Sequence, residues 1–395
     1  MSPEMIGAIG ILVLLILLFC KIWIGMAMAF VGILGFACLK GFDLAFISAA
    51  MVPMKYIAYY PITVLPMFVF MGVLLSNTGV SGDIYKTAHA WFGRLRGGLA
   101  IATIIACAGL AAIMGSSVAE AVTMGKVAVP EMKKFNYDDK LSTGCVAAGG
   151  TLGFLIPPSL GFILYGILTE NSIGALFMAG ILPGVVLSLM FIITIIIITW
   201  LDPKAGPQGP ATSFREKIVS VKDTWPVVIL FVAVIGGIYG GIFTPTEAGA
   251  LGAFCTFIIA GIKKRLTYKI ITESIREATQ TTVMVALLMM GAYIFMKFLA
   301  ISKLTVLLSS TICGFEASPY VILAAIIVLY IILGMFLDVM AAIIITLPVI
   351  YPIVIALGFD PIWYGVIMAL LMELGLITPP VGINVFAIAG VCNVP

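Results

Sequence analysis

The amino-acid sequence predicts an all-α polytopic membrane protein made of two inverted repeats, each carrying a re-entrant helical hairpin and a broken helix. Three observations predict it: the apolar composition, the length of the apolar runs, and a G-x-x-x-P-P hexapeptide that occurs twice at matching places. About 62% of the 395 residues are hydrophobic and 10% are charged, against roughly 45–50% and 25% in a soluble domain. A soluble fold of this length cannot hide so much apolar surface; a bilayer can. Several apolar runs reach the roughly 20 residues that cross a ~30 Å hydrocarbon core as helix. They recur along the whole chain, so the first is not a cleaved signal peptide. A β-barrel would instead show weakly alternating stretches of about ten residues.

Taken in order, spanning or half-spanning segments are expected near 4–20, 22–39, 62–79, 98–114, 117–132, 141–169, 174–200, 225–242, 246–262, 279–300, 318–333, 336–357 and 361–391. Two connections, 40–60 and 80–97, mix aromatic and charged residues and are expected to lie in the interface plane. The polar stretch Asp202 to Asp223 holds Pro203, Gly206, Pro207, Gly209 and Pro210 and is expected to be a loop between halves. The resulting division is 1–61, N-terminal scaffold helices and arm; 62–200, repeat 1 with hairpin 98–132 and broken helix 141–169; 201–278, linker and scaffold helices; and 279–395, repeat 2 with hairpin 318–357 and broken helix 361–391.

The duplication can be read in register. A shift of about 219 places Gly72 on Gly291 and Gly115 on Gly334. A shift of about 222 places Gly153-Phe154-Leu155-Ile156-Pro157-Pro158 on Gly375-Leu376-Ile377-Thr378-Pro379-Pro380. Such internal repeats are a common build of secondary transporters. If 98–132 and 318–357 enter and leave on one face, Lys86, Arg94, Arg96, Lys133, Lys134, Lys140, Lys204, Arg215, Lys217, Lys222, Lys263, Lys264, Arg265 and Lys269 share one side. The other side carries chiefly Lys40, Lys55 and Lys303. The positive-inside rule makes the first side cytoplasmic. The chain then crosses an odd number of times between Gly72 and Gly291, which inverts the repeats. The first hairpin opens from the cytoplasm and the second from outside.

The chemistry concentrates where the helices are interrupted. Adjacent prolines stop one half-helix and start another, because proline lacks an N–H and clashes with the preceding turn. In hydrocarbon the freed carbonyls of residues 153–156 each cost several kcal/mol unless something binds them. A sodium ion suits them, since half-helix C-termini carry partial negative charge and hard cations prefer oxygen. The half-helix starting at Pro158 points N–H groups at the same spot, which suits a carboxylate, and Ser159 can add a hydroxyl. Gly115-Ser116-Ser117 forms the facing hairpin tip. In the second half, Gly334 and Asp338 form the tip, while Gly375, Thr378, Pro379, Pro380 and Asn384 surround the break. The bland alternative is that both double prolines merely kink packed helices.

Acidic residues within apolar stretches are functional candidates by default. Asp338, at a tip, is a candidate for ion or substrate contact; Glu120 and Glu373 are expected to cap, pair or face a water-filled cavity, and Glu247 to cap a helix start. Gly149-Gly150-Thr151-Leu152-Gly153 is a poor dinucleotide motif, because no strand precedes it. Neither a Walker A sequence, G-x-S-x-G nor H-E-x-x-H occurs, which argues against ATP use within this chain and against a hydrolase; no enzymatic activity is expected. The net charge of +3 gives no basis for nucleic-acid binding. The seven cysteines (Cys20, Cys38, Cys107, Cys145, Cys255, Cys313, Cys392) form no C-x-x-C pair, so neither a disulfide framework nor a metal framework is expected. The lone His89 is expected to be a solvated surface group.

Together these residues resemble the large membrane subunit of tripartite ATP-independent periplasmic (TRAP) transporters. The resemblance rests on Gly93-Arg94-Leu95-Arg96-Gly97-Gly98-Leu99-Ala100, Gly115-Ser116-Ser117-Val118-Ala119 and Leu152-Gly153-Phe154-Leu155-Ile156-Pro157-Pro158-Ser159. It continues through Ser172-Ile173-Gly174, Thr244-Pro245-Thr246-Glu247-Ala248 and Gly375-Leu376-Ile377-Thr378-Pro379-Pro380-Val381-Gly382. It implies an elevator mechanism, in which a transport domain of hairpins and broken helices slides against a scaffold. It also implies two or more transported sodium ions, one near Ser116, Ser117, Gly153, Ile156 and Pro158 and another near Gly334, Gly375, Thr378 and Val381. An organic anion such as sialic acid or a C4-dicarboxylate would sit between them, near Ser117, Ser159 and Asp338, with Asn384 close by. The implied partners are a small four-helix membrane subunit, a periplasmic substrate-binding protein and the bilayer of the bacterial inner membrane. A further membrane segment is expected beyond Pro395. Two rivals remain: a sodium–dicarboxylate carrier working without a binding protein, which shares the hairpin plan, and an ion channel subunit, which should show a continuous polar pore stripe.

Overall fold

The structure, a computed structural model, describes residues 1–395 apart from 210, 211, 315–317, 393 and 395 and apart from the side chains of Ile57 and Cys313. Pro210, the Cys313 thiol and Pro395 therefore lie outside the described residues.

Among the described residues all regular structure is helical. The first half runs α1 (Pro3–Phe19), α2 (Ile24–Lys40), α3 (Phe42–Ile57), a 3-10 turn (Tyr60–Thr63), α4 (Val64–Asn77) and α5 (Val80–Phe92). It continues with α6 (Gly98–Met114), α7 (Ser117–Lys134), α8 (Asp139–Gly150), α9 (Leu152–Leu155), α10 (Leu160–Thr169) and α11 (Ile173–Leu201). The second half holds α12 (Phe214–Tyr239), α13 (Pro245–Ile262), α14 (Tyr268–Ser302) and α15 (Leu304–Cys313). It ends with α16 (Pro319–Gly334), α17 (Val339–Ala356), α18 (Pro361–Ile377) and α19 (Ile383–Cys392). Among the described residues, seven helical stretches are long and apolar enough to cross a membrane. The α11 helix, with a mean hydropathy of 2.9 over its most apolar window, turns Leu182, Leu189, Ile193 and Trp200 outward, as a lipid-facing helix does. The apolar window of the Asp139–Thr169 stretch is wholly buried, so the first broken helix is the centre of the molecule.

The helix contacts repeat with exchange between the halves. The first hairpin arm packs on the first half of a broken helix in both repeats, α6 on α8 and α16 on α18. The second arms reach across, α7 onto α19 and α17 onto α10. The same exchange continues outside the hairpins: α2 packs on α14 and α13 on α4, while α1 packs on α15 and α12 on α5. The duplicated contact pattern thus takes in α1, α2, α12 and α13 as well as the hairpins and breaks.

Local chemistry sets the ends. Ser213 and Glu216 form a reciprocal capping box at the start of α12, and Thr244 with Glu247 does the same for α13, as expected of Glu247. The first of these corrects the expected loop over 202–223. Only its first part is non-helical, because Ser213-x-x-Glu216 satisfies the first free N–H groups and lets polar residues wind into helix. Likewise α14 begins eleven residues before the expected 279, where Thr267 accepts from the Ile270 N–H.

Candidate ion and substrate site at the two helix breaks

Each hairpin tip meets a helix break through a backbone contact that only glycine permits. Gly115 ends α6 with φ +61, a conformation that L side chains rarely adopt. A Cβ there would lie 2.8 Å from the Pro158 carbonyl oxygen, and the Gly115 carbonyl accepts from the Leu160 N–H at 3.4 Å. In the second repeat, a Cβ on Gly334 would lie 3.1 Å from the Gly375 Cα. Tip and break therefore touch twice, once in each repeat.

At the first break, Ser116 is the extended residue before α7 and Ser117 opens that helix. Gly153, Ile156 and Pro158 are all buried. The Ser159 hydroxyl donates to the Phe154 carbonyl and caps α10 by accepting from the Phe162 N–H. The Ser117 hydroxyl donates to Oε1 of Glu373, on α18 of the other repeat. At the second break, the Thr378 hydroxyl donates to the Leu374 carbonyl at 2.6 Å, and Val381 is 38% exposed. Asp338 caps α17 by accepting from the Met340 N–H at 3.2 Å.

A cavity of about 880 Å³ opens beside the tips. Ser116, Leu160, Asp338 and Ile383 line it, joined by Ser76 and Asn77 of α4, Lys126 of α7 and Glu277 of α14. Of the residues expected around an anion, Asp338 lines this wall, while Ser117, Ser159 and Asn384 are buried behind it. Sequence reasoning missed Asn77, Lys126 and Glu277. Lys126 carried a signal, being the one cation inside the expected segment 117–132.

Two further residues lie differently from expectation. His89 is not a solvated group: it sits in α5 between Tyr85 and Phe135, and its Nε2 is buried without a partner. Burial lowers its pKa, since it disfavours the charged form. The α5 helix packs on α6, and a lone histidine in a polar connection does not reveal that burial. Asp83 was not singled out. It is 5% exposed and accepts from Arg265 at 2.6 and 3.1 Å and from Lys263 at 2.9 Å. Burial pushes its pKa up, but the hydrogen bonds and charges of Arg265 and Lys263 outweigh it and hold the carboxyl below its usual range. The cluster fastens α5 to the turn after α13 on the side expected to be cytoplasmic. Lys263 also donates to the Asp223 carbonyl, which draws in α12.

Comparison with known proteins supplies the family. The family model described as "Tripartite ATP-independent periplasmic transporter, DctM component" matches residues 11–395. The C4-dicarboxylate TRAP transporter large permease protein DctM of Pseudomonas aeruginosa is 35% identical over 85% of this chain and 79% of its own length. The sialic acid TRAP transporter large permease protein SiaM of Vibrio cholerae is 31% identical over 85% of this chain and 78% of its own. The isethionate TRAP transporter permease protein DctMQ of Oleidesulfovibrio alaskensis is 36% identical over 88% of this chain, which spans 56% of that protein. Among solved structures, the Alcanivorax borkumensis YdaH transporter shares the fold, with a TM-score of 0.65 at 14% identity over 90% of this chain and 82% of that one. The chain belongs to the DctM-component family of TRAP transporters, and is thereby a transport protein of the bacterial inner membrane rather than an enzyme.

Proposed function

We propose that this chain carries a small organic anion inward together with sodium, as the translocating subunit of a three-part transporter. The observation that carries the reading is the twofold meeting of tip and break, Gly115 on Pro158 and Gly334 on Gly375. Each meeting gathers interrupted backbone and short polar side chains where hydrocarbon would leave them unsatisfied. Sodium is assigned to Ser116, Ser117, Gly153, Ile156 and Pro158 at the first break and to Gly334, Gly375, Thr378 and Val381 at the second. The anion is assigned to the cavity between them, beside Asp338 and close to Ser117, Ser159 and Asn384. Relatives named for C4-dicarboxylates, sialic acid, isethionate and 2,3-diketo-L-gulonate support an anionic cargo.

In this reading α6–α10 and α16–α19 form the moving body, and α1, α2, α4 and α12–α14 the fixed scaffold. The α3 and α5 helices are the arms between them. A small membrane subunit braces the scaffold, and a periplasmic binding protein delivers the cargo. Each net positive charge moved inward gains about 2.3 kcal/mol per 100 mV. That is roughly fiftyfold accumulation, so two sodium ions with a monoanion suffice energetically.

The test is uptake into proteoliposomes holding this chain and its small subunit, with the binding protein added outside. An inward sodium gradient is expected to drive accumulation of a C4-dicarboxylate or sialic acid, and replacing sodium by choline to abolish it. Uptake that ignores sodium would refute the coupling, and sodium-driven uptake without the binding protein would favour the self-sufficient carrier.

A further inference from the structure

Two carboxylates beside the first break have no part in the assignments above. Glu120 is 0% exposed and Glu373 2%, and among the described residues neither forms an ion pair. Glu373 accepts the Ser117 hydroxyl on one oxygen; its other oxygen has no hydrogen-bond partner, and neither oxygen of Glu120 accepts from an N–H or O–H group, the buried Cys107 thiol beside it being only a weak donor. Ser117 and Glu120 lie one turn apart on α7, on the same face. Oε2 of Glu120 abuts Gly153 so closely that a Cβ there would overlap it, and the Ser116 carbonyl oxygen would lie 3.2 Å from that Cβ. A carboxylate oxygen and a main-chain carbonyl thus converge on the backbone of the break, and the neighbouring Ser117 hydroxyl ties Glu373 to the same helix. A separate observation comes from α19, which packs along α7. It carries Asn384, wholly buried, whose amide oxygen and nitrogen both lack a partner.

An uncompensated carboxylate is strongly disfavoured in a low-dielectric interior, and a hard cation held by oxygens is the natural compensation. We infer that Glu120 and Glu373 are the anionic wall of the sodium site at the first break. This inference rests on the sodium reading above and adds charge to a site otherwise built of neutral groups. One carboxylate comes from each half of the chain, Glu120 from the first hairpin and Glu373 from the second broken helix. Neither is duplicated: Thr151 stands where Glu373 would repeat, and Val339 to Ala342 where Glu120 would. The second break therefore has no counterpart of this pair, its own acid being Asp338 at the hairpin tip.

The full chain in nanodiscs is titrated with sodium chloride against choline chloride at constant ionic strength, with the melting temperature as readout. Glu120→Gln and Glu373→Gln are each expected to raise the sodium half-saturation at least about tenfold, since affinity follows ligand charge. Glu120→Asp, which keeps the charge on a shorter arm, is expected to give a smaller rise. A half-saturation within about twofold of the wild type in both glutamine variants overturns the inference. So does a glutamine variant that is simply more stable at every sodium concentration, the mark of a resting neutral carboxyl. If a glutamine variant does not fold, Glu120→Asp decides, a raised half-saturation supporting the inference and an unchanged one overturning it. A wild type that melts alike in sodium and choline would refute the sodium reading itself, an outcome separate from the variants' failure.

Discussion

The two helix breaks share a sequence motif yet sit in different surroundings. Residues 151–160 are buried throughout, whereas Pro379, Pro380 and Val381 are exposed. The cause is α11: Gly180 brings it against the Leu155 carbonyl and Gly184 against Ile156. Among the described residues no helix covers the second break in the same way. Within the described residues α11 therefore gives the first break a packed protein cover, and the peptide groups there act on an ion through a low-dielectric medium. A repeated motif fixes the geometry of a break but not the helices that pack over it.

The comparison breaks most sharply at the tips. Gly115→Val adds a branched side chain where φ is +61 and the Pro158 carbonyl already blocks a Cβ. Left-handed backbone alone costs roughly 1–2 kcal/mol for such residues. Uptake in proteoliposomes should fall below about a tenth of wild type, because both strain and displacement act on the break. Gly334→Ala, where the neighbour is the Gly375 Cα, should lose less; equal loss would contradict the stated difference between the breaks.

Next in size is the clamp on α5. Asp83→Asn leaves Lys263 and Arg265 without their carboxylate and should destabilise the protein by about 1–3 kcal/mol, less than a fully buried pair because Arg265 is partly exposed. The lost stabilisation has a defined pH dependence. The folded-state pKa of Asp83 is depressed, so its contribution is present above the unfolded value of about 3.9. It disappears as pH falls through the folded value. Melting curves of wild type and Asp83→Asn should therefore differ near pH 7 and converge in acid. Among the described residues α15 has no ion pair, so substitutions there should lack this behaviour.

A smaller effect separates the two sodium assignments. Ser117→Ala removes a hydroxyl from a buried break and also the hydrogen bond to Glu373; the sodium half-saturation for uptake should rise about tenfold. Thr378→Ala removes a hydroxyl already committed to the carbonyl of Leu374 one turn back, and about two- to threefold is expected. Equal shifts would show that the link from Ser117 to Glu373 does not set the difference.

The sequence by itself determined the class of the protein and the position of its interruptions. Apolar runs of membrane length follow from the cost of exposing such a chain to water, and no tertiary partner alters that. Glycine before Ser116 and the double prolines at 157–158 and 379–380 are local constraints, and α6, α7, α9, α10, α18 and α19 end within a residue or two of where these predict. The capping box at Ser213 was also written locally and was obscured by the prolines and glycines before it. Only the tertiary structure decided which interrupted backbone is buried, because Gly180 and Gly184 must pack α11 against the first break. It alone brought Asp83 to Lys263 and Arg265, some 180 residues away, and Ser117 to Glu373, 256 residues away. Partners that distant in sequence leave no periodic trace, and their electrostatics exist only once the two halves have exchanged helices.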